Sequence, residues 1–78
     1  MPPIEEFRAL SPQALDALER AVREHRRVVL QRRGTEYVVV ALRLDTEARG
    51  ELLEARLPMT GETLAFRLRD LERFAVLP

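Results

Sequence analysis

The hydrophobic rhythm of this chain changes once, just past His25, and that change constrains the fold more than any other feature. Upstream, Ala14, Leu15, Leu18, Ala21 and Val22 recur at helical spacing and make one apolar stripe, so 12–25 is expected to be an amphipathic helix. Ser11 suits the N-cap, and Pro12 suits the first helical position, where a missing N–H costs nothing. Leu10 and Leu15 fall at the N′ and N4 positions of a hydrophobic staple. Asp16–Arg20 and Glu19–Arg23 are i,i+4 pairs in the favourable orientation. From Arg27 to the C-terminus the apolar residues instead alternate, the rhythm of strands.

Five short strands are expected in 27–77. Val28 to Gln31 is the first, Arg33-Gly34-Thr35 a tight turn, and Tyr37 to Leu44 the second. In the second, Val38, Val40, Leu42 and Leu44 share one face, and Tyr37, Val39, Ala41 and Arg43 the other. Asp45 to Gly50 is polar and reads as a loop. Leu53, Ala55 and Leu57 alternate in a third strand, 58–61 is a turn, and Leu64, Phe66 and Leu68 alternate in a fourth. A single turn at 70–73 leads to a fifth, Phe74 to Leu77. The lead, 1–10, carries Ile4, Phe7 and Leu10, and either a helical turn or an extended arm satisfies its pattern. Short connections favour antiparallel neighbours, because parallel pairs need a crossover of about a dozen residues. The expectation is one α+β domain over 1–78: an N-terminal amphipathic helix followed by a five-stranded antiparallel SH3/Sm-like barrel.

Two family resemblances follow from quoted stretches. "GETLAFRLRDLERFAVL", residues 61–77, with the helix and strands before it, resembles Sm-like and SH3-like small barrels in element order. That resemblance implies a one-turn helix between the fourth and fifth strands. The Sm family's RNA-binding residues do not carry over. No asparagine follows the second strand, and Arg69-Asp70 stands where an Arg-Gly pair belongs. The helix and "RRVVLQRRGTEYVVVAL", within residues 12–42, resemble the front half of prevent-host-death antitoxins. That likeness implies a DNA-binding repressor whose chain continues, beyond Asp45, as a toxin-binding helix.

Composition excludes more than it names. With 78 residues the chain buries about 60–65% of its unfolded surface. It has no cysteine for a disulfide or thiolate metal site, so packing or oligomerisation must stand in. Thirteen acidic residues balance thirteen basic ones, unlike a dedicated nucleic-acid binder. Every basic residue is arginine, which fits a GC-rich genome or a thermophilic source equally. No apolar run is long enough to span a membrane, and the acidic start is unlike a signal peptide, so a cytoplasmic protein is expected.

Chemistry-bearing residues are few. His25 is the only histidine, in the last helical turn, and the only serine is the cap Ser11 about four turns away. No Asp or Glu falls within an apolar run where burial would tune it for acid–base work. No catalytic, metal or cofactor site is expected, and no enzyme. Between Arg20 and Arg33 there are six arginines and one acid, whereas from Asp45 to Glu54 there are four acids and one arginine. Arg26, Arg27, Arg32 and Arg33 are the candidate anion or partner contacts. They are expected chiefly to pair with those acids, within one chain or across copies. Weak, salt-dependent contact with nucleic acid, or docking of an acidic protein, are the alternatives. Val39, Ala41 and Leu52 are the candidate self-association residues, because apolar side chains on both faces of a thin sheet call for cover. That cover could be the helix, the arm with Ile4 and Phe7, or a second copy. The expected function is a non-enzymatic binding or assembly module that self-associates, as a dimer. The alternative is a nucleic-acid-associated regulator, Sm-like or antitoxin-like.

Overall fold

A computed structural model describes residues 6–8 and 11–78. Its elements are β1 (Glu6–Arg8), α1 (Pro12–Glu24), β2 (Arg27–Arg32), β3 (Thr35–Glu47), β4 (Gly50–Arg56), β5 (Thr63–Arg67), a 3-10 turn (Leu68–Asp70) and β6 (Arg73–Val76). All ladders are antiparallel, in the order β1-β6-β2-β3-β4-β5. The class is therefore α+β, with the five expected strands and a three-residue β1 added from the lead. Ile4 and Leu10 lie outside the described residues, as does the Phe7 side chain. The staple and the cover expected of them fall there too.

The sheet does not close, so the α+β class holds while the expected barrel is not shown. Among the described residues no ladder joins β5 to β1 or β6. Leu68 and Leu71, which follow β5 in the chain, are 1% and 5% exposed and belong to the core cluster.

Helix α1 begins and ends on local signals. Ser11 has extended backbone, and its Oγ accepts the Ala14 N–H at 3.1 Å, satisfying one of the orphan donors of the first turn. At the far end His25 donates to the Val22 carbonyl at 3.2 Å and Arg26 to the Ala21 carbonyl at 2.9 Å. These are the paired bonds of a Schellman ending, which requires left-handed backbone. His25 supplies it at φ 51°, so the helix stops at Glu24. Ala14, Leu18 and Ala21 are buried in one core cluster with Val28, Leu30, Val39, Ala41, Leu53 and Phe66, and the helix lies chiefly against β3. Neither Asp16–Arg20 nor Glu19–Arg23 closes to ion-pair distance among the described residues.

Strand β3 is the pivot of the sheet. Residues Thr35 to Val40 pair with β2, and Val40 to Glu47 pair with β4, so only Val40 has a partner on both sides. Ala41 faces Ala55 and Arg43 faces Glu54, which leaves Leu42 as the extra residue of a bulge. The bulge reverses the alternation. Leu44 joins Tyr37, Val39 and Ala41 on the core side, and Arg43 turns outward; the strict alternation expected from the sequence is corrected here.

The polar stretch 45–50 is also not a loop. β3 runs on to Glu47, a two-residue turn follows, and β4 starts at Gly50. Polar groups hold this extension in water: Thr46 Oγ1 donates to the Glu51 carboxylate at 3.0–3.1 Å, and Arg43 Nε meets Asp45 Oδ1 at 2.8 Å. The β2–β3 connection is the two-residue turn Arg33-Gly34, with φ of 50° and 76°. Two left-handed residues match the natural twist of a hairpin, and glycine tolerates this at no steric cost.

His25 holds a left-handed conformation that strains a residue with a Cβ. His25→Gly should therefore raise unfolding free energy by about 0.5–1 kcal/mol in urea titration. An unchanged or lower midpoint would show that the histidine side chain stabilises the helix end by more than the strain costs.

Candidate binding surfaces

The four candidate arginines do not form one cluster. Arg26 and Arg27 stand at the start of β2, and Arg32 and Arg33 at its other end. Five residue steps of strand carry Arg27 about 17 Å from Arg32. Their directions differ as well. Arg27 is exposed on the outer face opposite Val40, whereas Arg32 shares the core side with Val28 and Leu30. Arg33 is exposed in the turn.

The expected pairing with the acids of 45–54 does not occur within the chain. Arg26 Nε lies 3.2 Å from Glu24 instead. Asp45 takes Arg43, and Glu47 lies 3.7 Å from Arg67. Arg67 Nη1 is buried without a hydrogen bond, its carboxylate partner just beyond reach. Among the described residues Arg27, Arg32 and Arg33 have no ion-pair partner.

Arg32 has aromatic neighbours instead. Its guanidinium carbon sits 5.0 Å from the centre of the Phe66 ring and 5.4 Å from that of Tyr37. Nη2 makes a long 3.4 Å hydrogen bond to the Tyr37 hydroxyl. Tyr37 and Phe66 meet edge to face at 5.3 Å. A cation over ring faces is electrostatically favoured, and a long aliphatic stem readily lies along apolar surface. The sequence shows the arginine and the rings but not this meeting, because Phe66 arrives from a strand three ladders away from Arg32.

The self-association residues are redistributed. Val39 and Ala41 are fully buried in the core that α1 covers, so neither offers a surface, which corrects their expected role. Leu52 is half-buried on the outer face, between Asp45 and Arg67 in register. The open apolar ground lies elsewhere on that face, where Val38 is 42% exposed and pairs with Val29, itself opposite Ala75. Val40, beside them, is flanked in register by Arg27 and Arg56.

A cleft that no residue pattern announces lies between α1 and the β3–β4 extension. Leu15, Val22 and Leu44 form its apolar floor, with Glu19, Arg23, Thr46 and Glu51 around it, enclosing about 400 Å³. It exists only because residues 45–50 continue the strands. His25 and Ser11 hold opposite ends of α1, far from any shared chemistry. Among the described residues no group of three His, Asp or Glu is placed to hold a metal, and no helix is long and apolar enough to cross a membrane.

Removing the stacked guanidinium exposes the ring it covers. Arg32→Ala should lower unfolding free energy by about 1–2 kcal/mol, and Arg32→Lys by less, because its stem still covers Phe66. Equal loss for both, measured in the same urea titration, would mean that the stem contributes nothing.

No family model, curated protein or solved structure matches the chain.

Proposed function

We propose that this chain is a non-enzymatic assembly module that self-associates through the open edge of β5. One observation carries the reading: among the described residues Thr63–Arg67 pairs only with β4, leaving a row of backbone donors and acceptors on its other side. Natural edge strands are guarded by charges, proline or bulges, and β5 has no proline, no bulge in its ladder and a charge only at its last residue, Arg67. Two copies of β5 laid antiparallel about a two-fold axis at Ala65 would satisfy both edges and continue the sheet across the dimer. In this reading each curled sheet is a small barrel of the SH3/Sm kind left open on one side, and assembly uses that opening.

The two-fold places Ala65, which is exposed, opposite its own copy. Light scattering after size exclusion should give twice the 9.0 kDa chain mass for the native protein. Ala65→Lys should give a monomer, because like charges directly opposite are destabilising. An equimolar mixture of Ala65→Lys and Ala65→Glu should dimerise again. A native monomer at every concentration rejects self-association, and a Lys/Glu mixture that stays monomeric rejects this register.

A second reading is contact with nucleic-acid phosphates, favoured by one arrangement: Arg27 and Arg56 flank Val40 on the outer face, without a carboxylate partner among the described residues. Binding of a mixed-sequence oligonucleotide should then fall steeply with salt. On a single strand, replacing both arginines with glutamine should reduce the logarithmic salt slope by about 1.4. An unchanged slope would remove these two residues from any such surface.

A further inference from the structure

The β2–β3 hairpin tip presents a guanidinium held in place by rings, with most of its donors unused. Arg32 carries five N–H donors in a planar fork. Its single hydrogen bond among the described residues is the long one to the Tyr37 hydroxyl. The side chain is half-buried, and Phe66 and Tyr37 restrict the fork, so little further ordering is needed to receive a ligand. A guanidinium that rests over ring faces and lacks a carboxylate leaves its fork to match an acceptor with two oxygens, as in a carboxylate or a phosphoryl group.

The neighbouring turn already holds one such acceptor. The Gly34 N–H donates to Glu72 Oε1 at 2.8 Å, so a carboxylate from the start of β6 docks on the hairpin backbone. That carboxylate does not come within ion-pair distance of Arg32 or Arg33. Arg33 is exposed beside it, with left-handed backbone. Glu36, the nearest other acid in the hairpin, pairs in register with Gln31 on the opposite, outer face. Two guanidinium groups therefore share the tip with a single occupied carboxylate, and the local charge is positive in a chain that is neutral overall.

We propose that this tip is an oxyanion site, with Arg32 as the bidentate donor and Arg33 as a second, looser cation, for a carboxylate or phosphoryl group carried on a larger molecule. The site does not depend on β5 assembly, so the two readings fail separately.

The test follows the Arg32 side-chain Nε–Hε signal, moved by the ring currents of Phe66 and Tyr37, together with the Gly34 amide. The native protein and the Ala65→Lys variant are titrated with sodium phosphate, sodium acetate and sodium chloride at matched ionic strength. The expected result is a saturating shift of both signals with phosphate or acetate, and none with chloride. Preference for acetate assigns the natural source to a protein carboxylate, and preference for phosphate assigns it to a phosphoryl group. Arg32→Lys, which keeps the charge and loses the fork, should weaken binding by about tenfold. Arg33→Gln, which leaves the ring stack intact, should weaken it two- to threefold, about the loss of one exposed charge contact. Equal, non-saturating drift in all three salts overturns the proposal, and so does unchanged affinity in Arg32→Lys. Should Arg32→Lys fail to fold, the native salt series and Arg33→Gln decide it.

Discussion

One extra residue in β3 governs how this chain makes a core. With no disulfide and few residues, the fold relies on bringing apolar side chains from a helix and a curled sheet together. The Leu42 bulge lets β3 serve two hairpins in turn, β2 before Val40 and β4 after it. It also keeps Leu44 and Leu53 on the side where Ala41 and Ala55 already lie. Without that slip Leu44 would face water and Arg43 would point at the core. A one-residue change of register moves every later side chain to the other face, so the bulge specifies the second half of the sheet.

Much of the fold is legible in the sequence. Ser11, Pro12 and the stripe Ala14, Leu18 and Ala21 mark α1 by local rules, and the structure places them accordingly. The alternation of Leu53 with Ala55, and of Leu64 with Phe66, marks β4 and β5 for the same reason. The failures have physical causes. Leu42 is as apolar as its neighbours, so nothing in composition announces that it is the odd residue. Residues 45–50 read as a loop because strand pairing there rests on polar partners, such as Thr46 with Glu51, rather than on burial. Closure of the sheet depends on which ends meet, and alternation within single strands does not encode that.

The site was less legible than the fold. Proximity in sequence made Arg26, Arg27, Arg32 and Arg33 look like one patch, but a strand carries its ends apart and its side chains to opposite faces. The useful grouping crosses the sheet instead: Arg32 with Tyr37 and Phe66, and Arg27 with Val40 and Arg56. Overall neutrality thus conceals local imbalance. Of the acids of 45–54, Asp45 takes Arg43 and Glu47 lies nearest Arg67, so none of them neutralises the arginines at the β2–β3 tip or at the Val40 corner.

The β3–β4 extension has a consequence for the protein's motions. Past Leu44 and Leu53 its side chains are polar apart from Ala48 and the half-buried Leu52, and its residues from Thr46 to Gly50 are exposed. Regions with little buried apolar surface open by themselves, without the rest of the molecule unfolding. Backbone amides there therefore trade their hydrogens with solvent through small, frequent separations of the ribbon end. Those of Val28, Leu30 and Val39 wait for the rarer event in which α1 lifts away and the whole interior is wetted.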